Sequence, residues 1–420
     1  MKIVTLNWGG KGTGSIDNIR KSIEDGLCDK DFEFYHIYES GVKSDKKYYR
    51  LSGWLTTRIY YLWAHLIGRQ YGVGYIPYLK FARKVKSISP DIVHIHCPNG
   101  FAINLYAVLR FLSRKNIPVI ITNHAEFFYT GGCAHAKNCL EFEKGCIWCE
   151  DYKKQCNSWV VNQTQRNWQN MYDGLHSIDR LMMVAVSPWV ENRMEQSRIA
   201  KDLPKCTIIN GIDTEVFKYK IENENKAQLL ENILANCKVK QKISKEKKIF
   251  LHVTSYFSDQ KADLKGGWYV IQLARRLQDL DVLFLVAGNT NISNINDLPD
   301  NIALLGPISN QELLADLYNI AEVNIITSQR ETFGMTCAES LCCGTPVIGF
   351  KNGGSDSIAL EEGTFFVNYG QIDMIEQSLR ESKLMSNSER KALSKHAHET
   401  YSKDVMAQKY GGLYDQMSRK

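Results

Sequence analysis

The run Glu331-Thr-Phe-Gly-Met-Thr-Cys-Ala-Glu339 decides the fold, because apolar runs of strand length flank it: Val323-Asn-Ile-Ile-Thr-Ser328 before and Val347-Ile-Gly-Phe350 after. Gly344-Thr345-Pro346 closes the unit just ahead of the second run. Strand, glycine turn, helix start and return strand make a βαβ frame. Such a frame points backbone N–H groups out of a helix N-terminus, where phosphate oxygens bind well. The two glutamates stand eight positions apart at the ends of the turn. Carboxylates there can accept hydrogen bonds from sugar hydroxyls. The stretch therefore predicts a site for a ligand carrying both phosphate and sugar.

The same alternation extends over the whole chain. KIVTLNW (2–8), DFEFYHIY (31–38), DIVHIHC (91–97), PVIITNH (118–124), LMMVAVS (181–187) and CTIINGI (206–212) read as strands in the first half. KIFLHVTS (248–255), DVLFLVAG (281–288) and IALLGP (302–307) precede the opening stretch in the second. Near-continuous apolar strands separated by helical segments predict α/β architecture with parallel sheets covered on both faces. Their number calls for two doubly wound, Rossmann-like domains facing across a cleft, with residues just after strands lining it. The expected domains are 1–190, 191–395 and a C-terminal helix, 396–420, packing back on the first domain. Segment 219–248, rich in lysine, glutamate and asparagine, reads as a solvated insertion.

Composition agrees with a globular chain. At 420 residues it exceeds one ordinary core, and 44% hydrophobic with 23% charged residues is not disordered usage. A net charge of +6, from 52 basic and 46 acidic residues, gives no case for nucleic acid as a partner. No apolar run approaches the roughly 20 residues of a spanning helix, and Met1-Lys2 leads straight into a strand. The chain reads as cytoplasmic, so its 12 cysteines are expected mostly reduced.

Several loops after strands carry chemistry. Gly9-Gly10-Lys11-Gly12-Thr13-Gly14 follows the first strand, and Gly10 and Gly12 would let backbone approach a donor closely. The run departs from the dinucleotide fingerprint and lacks the ribose-binding acid, which disfavours NAD. His124 ends the fourth strand, placed to hydrogen-bond a substrate hydroxyl or phosphate. His94 and His96 lie inside a strand and read as structural. Lys265, before Gly266-Gly267, can meet a diphosphate as a point charge, with Lys261 as its rival. Phe333 reads as an exposed aromatic beside the turn.

With Asn210-Gly211-Ile212-Asp213, Lys265-Gly266, Gly353-Gly354 and the stretch from Glu331 through Ile348, the chain resembles the retaining glycosyltransferases of family 4. That resemblance implies the GT-B fold and transfer of a sugar from a nucleotide diphosphate donor, UDP- or GDP-linked, with no metal needed for catalysis. It implies that Glu331 holds donor-sugar hydroxyls and Glu339 the ribose. The backbone of Phe333, Gly334, Met335 and Thr336, with Lys265, would take the diphosphate, and His124 would stand near the reacting centre. The family's arginine before the lysine is replaced by Thr254-Ser255. By this resemblance the chain builds a bacterial-type surface polysaccharide on a glycan or lipid-linked acceptor. A sugar-nucleotide epimerase and a zinc-stapled, non-catalytic binding protein are the rival readings.

Two features stand apart from the donor site. Cys133, Cys139, Cys146, Cys149 and Cys156 fall within the loop 130–157, and Cys146-Ile-Trp-Cys149 is a metal-type pair. Cys133, Cys139, Cys146 and Cys149 are the expected ligands of a structural zinc; the plain alternative is packed, reduced thiols. In segment 54–86, Leu55, Ile59, Leu62 and Leu66 share one helical face among Trp54, Tyr60, Tyr61 and Trp63. Arg58, His65 and Arg69 flank it, and Lys80, Arg83, Lys84 and Lys86 follow. This pattern fits peripheral contact with the inner face of an anionic membrane, or an ordinary helix packed on its own domain.

Overall fold

The computed structural model describes residues 1–9, 14–41, 44–136, 139–221, 229–230, 233, 247–381 and 385–419. The chain divides into two units, Met1–Gly211 with Met406–Lys420, and Ile212–Val405. In the first unit the strands are β1 (Lys2–Asn7), β2 (Glu33–Tyr38), β3 (Tyr48–Arg50), β4 (Ile92–Ile95), β5 (Val119–Asn123), β6 (Leu181–Ala185) and β7 (Lys205–Thr207). They form one sheet in the order β3-β2-β1-β4-β5-β6-β7, parallel throughout. The second unit carries β8 (Lys248–Ser258), β9 (Val282–Asn291), β10 (Ile302–Gly306), β11 (Val323–Ile326), β12 (Val347–Phe350) and β13 (Thr364–Val367). Its order is β10-β9-β8-β11-β12-β13, again all parallel.

Central strands β4, β5, β11 and β12 are buried at every position. Helices cover both of their faces, which is why these runs show no polar alternation. Strand order reverses between β1 and β4 in one sheet and between β8 and β11 in the other. Those switch points open a crevice at the carboxyl ends of the strands, where α/β sheets bind ligands.

The unit boundaries fall at 211/212 and 405/406, later than the expected 190/191 and 395/396. The reason is packing. Strand β7 still pairs with β6, so the first sheet does not end at residue 190. The helix Asn387–Tyr401 packs on the helix Met335–Cys342 of the second unit, where Arg390 bonds the Gly344 carbonyl and the Thr345 hydroxyl. Only the last helix, Lys403–Ser418, turns back to the first unit. There Tyr410 and Tyr414 meet Thr122 and His94 through 2.8 Å hydrogen bonds. Strands β3 and β13 add to the expected set: each is short, edge-placed and incompletely buried. Most of the 219–248 insertion lies outside the described residues.

Candidate active site

At the second unit's switch point, β8 leads into the loop carrying Lys265 and β11 into the loop carrying Glu331. The two loops are stitched together. Gln329 N–H donates to the Leu264 carbonyl at 2.7 Å, and the Thr327 hydroxyl donates to the Lys265 carbonyl at 3.2 Å. Gly266 has φ +72°, and a Cβ there would stand 2.2 Å from the Thr327 carbonyl oxygen, so only glycine allows this approach. The outcome is a direct ion pair: Lys265 Nζ lies 2.7 Å from Glu331 Oε1, with both side chains partly open to solvent. Lys261, the rival lysine, is held instead 5.0 Å above the Trp268 ring.

Backbone contacts fix Glu331 from behind. Its N–H donates to the Asn352 carbonyl at 3.1 Å, and its carbonyl accepts from Gly354 N–H at 2.9 Å. Asp356 Oδ1 in turn accepts the N–H groups of Asn352 and Gly353, both at 2.7 Å. Then the chain turns at Gly334, φ +92°, into the helix Met335–Cys342. A first-turn position leaves the Met335 and Thr336 amides without intrahelical acceptors, as at any helix start. Phe333 is 2% exposed, so its ring is core and only its backbone can serve a ligand. That corrects the reading of it as an exposed aromatic: the ring is what anchors the turn.

Glu339 lies one helical turn beyond Met335, on the same face. Tyr318, fully buried, donates its hydroxyl to Glu339 Oε2 at 3.0 Å. Desolvation by burial pushes the Glu339 carboxyl up to about 7, against the opposing effect of that hydrogen bond. Around the carboxyl ends of β8, β9 and β10, Thr254, Ser255, Gly288, Asn289, Pro307 and Ile308 line a cavity of about 210 Å³. Thr254-Ser255, the positions that lack arginine, are thus wall rather than charge.

In the first unit, His124 follows β5 and is buried; its Nε2 lies 3.3 Å from His96 Nδ1. Burial drives the His124 ring down to about 3, so it is neutral at working pH and has only hydrogen bonding to offer a ligand. His94 is consumed by Tyr414 and Thr122, in keeping with a structural role. Gly10 and Gly12 lie outside the described residues.

Residues 35–216 match the family model Glycosyltransferase Family 4, and residues 235–400 match Glycosyl transferases group 1, so the two together span most of the chain. The chain belongs to the family 4 glycosyltransferases. N-acetyl-alpha-D-glucosaminyl L-malate synthase of Bacillus anthracis is 21% identical over 82% of this chain and 81% of its own length. Sucrose-phosphate synthase of Thermosynechococcus elongatus superposes with a TM-score of 0.67 at 14% identity, covering 99% of this chain and 98% of its own. The Anabaena HepE protein, solved with UDP, superposes at 0.63 with 12% identity, over 99% of this chain and all of its own. These structures establish the GT-B fold of this glycosyltransferase.

The glycosyltransferase has residues of consequence that sequence reasoning passed over. Tyr318 orients Glu339 from a helix whose apolar pattern conceals a polar task. Glu39, buried just after β2, accepts the N–H groups of Gly100 and Ala102 at 3.2 and 2.7 Å and so shapes the loop after β4. Gly288 lies within β9 and Pro307 directly follows β10, and these breaks at the ends of the apolar runs were the available signal for the cavity.

Its cysteine loop is tied to the first unit by Glu126. That carboxylate pairs with Arg193 at 2.7 Å and accepts the Ala136 N–H at 2.7 Å. Within the loop Cys133 Sγ and Cys156 Sγ are 3.6 Å apart, and Cys149 is near enough to Cys156 to influence its thiol. Cys156, outside the predicted four, is therefore at the centre of the thiols. Among the described residues no group of three or more His, Cys, Asp or Glu side chains stands ready to hold a metal ion.

Proposed function

We propose that this family 4 glycosyltransferase moves a hexose from a UDP- or GDP-linked donor, with retention, to a glycan or lipid-linked acceptor of a surface polysaccharide. The observation that carries the donor reading is the Lys265–Glu331 pair at the β8/β11 switch point, beside the start of the helix Met335–Cys342. A cation, helix-end amides and a carboxylate within one turn match a diphosphate joined to a sugar. HepE of Anabaena has been solved with UDP-glucose, which supports a UDP-hexose as the first donor to try.

In this reading Lys265 and the Met335–Thr336 amides take the diphosphate, Glu331 the sugar hydroxyls and Glu339 the ribose. The base enters the cavity walled by Pro307 and Ile308. The anomeric C–O bond breaks with its electron pair passing to the diphosphate, through an oxocarbenium-like state. Charge grows on the phosphate oxygen, where preorganised N–H groups and an ammonium stabilise it most. The acceptor hydroxyl bonds to the anomeric carbon on the same face, and its proton passes to the departing phosphate. No metal is assigned to the step. His124, neutral, positions an acceptor or donor hydroxyl.

The test is transfer itself. Purified protein with UDP-glucose and a lipid-linked or oligosaccharide acceptor should form an α-linked product from the α-linked donor, and Glu331→Ala should abolish it with the fold intact. Full activity of Glu331→Ala would overturn the site. Conversion of the donor with no acceptor present would favour the epimerase reading.

A structural zinc on the cysteine loop is a separate proposal, with Cys156 joining Cys133, Cys146 and Cys149. Because no such set is closed among the described residues, binding would have to draw these thiols inward.

A further inference from the structure

The helix Trp54–Ile67 buries only Ala64 and His65 among its fourteen residues. An amphipathic helix packed on its own domain would bury its apolar stripe. Here the stripe faces out: Trp54 is 68% exposed, Leu55 64%, Ile59 57% and Trp63 52%. The neighbouring helix Tyr75–Ile88 adds exposed Tyr75, Ile76 and Leu79 at its start while burying Phe81, Val85 and Ile88.

This surface continues onto the cysteine loop. The Trp159 N–H donates to the His65 carbonyl at 2.8 Å, placing exposed Trp159 and Val160 beside the helix. Asn162 then bonds the Cys149 carbonyl at 2.8 Å, next to exposed Ile147 and Trp148. Separate segments thus contribute to one apolar face. Soluble monomers seldom leave so large a patch without a partner.

Charge identifies the partner. Residues 46–90 contain nine lysines and arginines and no aspartate or glutamate, whereas the rest of the chain carries 43 basic against 46 acidic residues. Arg58 stacks on Trp54, 4.4 Å from the ring centroid, at the edge of the apolar stripe. Arg83 and Lys86 are exposed on the second helix, and no carboxylate pairs with them among the described residues. At the far end of the first helix, Arg69 lies within the electrostatic reach of Arg166 and Arg110. Aromatic and aliphatic side chains ringed by unpaired cations fit the acyl–headgroup boundary of an anionic bilayer. A second protein chain would have to bring a matching acidic rim, and a second copy of this face would oppose like charges.

We infer that the exposed face of helix Trp54–Ile67, with Tyr75–Leu79 and Trp159–Val160, docks the first unit onto an anionic lipid surface. No helix among the described residues is long and apolar enough to cross a membrane, so the contact is peripheral. The proposal does not depend on the donor assignment, and its readout uses no sugar nucleotide.

Co-sedimentation of the full chain with vesicles tests it. The protein should pellet with phosphatidylglycerol–phosphatidylcholine vesicles and remain in solution with phosphatidylcholine alone, and added salt should weaken the binding by screening. Leu55→Glu/Ile59→Glu should cut partitioning at least about tenfold, as expected when charges replace buried apolar side chains at an interface. Arg83→Glu/Lys86→Glu, in the cationic rim rather than the apolar stripe, should lower binding while leaving the melting temperature unchanged, covering the case in which the first variant misfolds. No binding to the anionic vesicles overturns the inference. So does a dimer in light scattering that Leu55→Glu dissociates, since the face would then be a contact between copies. Capture of an acidic protein partner with no vesicle binding overturns it equally.

Discussion

Lys265 Nζ stands 2.7 Å from Glu331 Oε1, joining the loop after β8 to the loop after β11 across the strand switch. Both side chains are partly exposed, so the pair contributes little to stability. Its value is positional: each member is held where a donor would need it. In the proposed donor complex, Lys265 would exchange the carboxylate for phosphate and release Glu331 to sugar hydroxyls.

The two residues should therefore fail differently. Lys265→Ala should lower kcat by about a hundredfold or more, the scale of losing one preorganised donor at a developing negative charge. Glu331→Ala should lower transfer at least as far yet bind UDP as well as the parent or better, because it removes a competitor for Lys265. Calorimetry with UDP separates them; equal loss of UDP affinity in both variants would refute the division of roles.

With Glu339 in it, the proposed donor site should show a pH dependence. Its folded-state carboxyl is raised to about 7 by burial, so it is largely protonated below that pH and ionised above it. A ribose held by two hydroxyl donors needs the ionised form. Binding of UDP-glucose, which does not titrate in this range, should be about tenfold weaker at pH 6 than at pH 8. Linkage carries the opposite sign for folding: a raised carboxyl pKa means stability contributed by this group declines as pH rises from the ordinary carboxylate range through about 7. Glu339→Gln should flatten the binding profile; an unchanged slope would assign it to another group.

Gly334 is a backbone test of the turn. With φ +92° and a would-be Cβ 2.2 Å from Ser355 Oγ, Gly334→Ala should cost about 1–2 kcal/mol from the backbone alone. The melting temperature of the second unit should drop by about 2–8 °C, and donor affinity should fall with it because the helix start shifts. A neutral substitution would mean that the turn does not hold the helix end.

Metal content decides the cysteine loop independently of catalysis. The amended ligand set predicts about one zinc per chain, lost together with thermal stability in Cys156→Ser. A metal-free preparation of unchanged stability would leave packed thiols; zinc that persists in Cys156→Ser would remove Cys156 from the ligand set and return Cys139 to it.

Much of this was legible in the sequence where apolar runs are long and buried on both faces: every central strand overlaps an expected run, with β8 and β9 continuing past theirs to Ser258 and Asn291. The turn from β11 into the helix Met335–Cys342 was legible because glycine, proline and paired acids mark it within one short span. What the sequence concealed depends on distant packing. Strands β3 and β13 exist only because a neighbouring edge is available to them. The burial of Phe333, Tyr318 beneath Glu339 and Cys156 beside Cys133 join residues far apart along the chain. The outward face of helix Trp54–Ile67 shares its periodicity with a buried one, so only the fold could tell the two apart.

The central claim is that a sugar nucleotide binds at Lys265, Glu331 and Glu339, and titration of the intact protein with UDP-glucose, GDP-mannose and UDP tests it most directly. One sugar nucleotide should bind more tightly than its parent diphosphate, and Glu331→Ala should erase that difference while Glu339→Ala weakens both. Absence of binding by every nucleotide diphosphate, or a sugar-dependent increment unaffected by Glu331→Ala, would contradict the account.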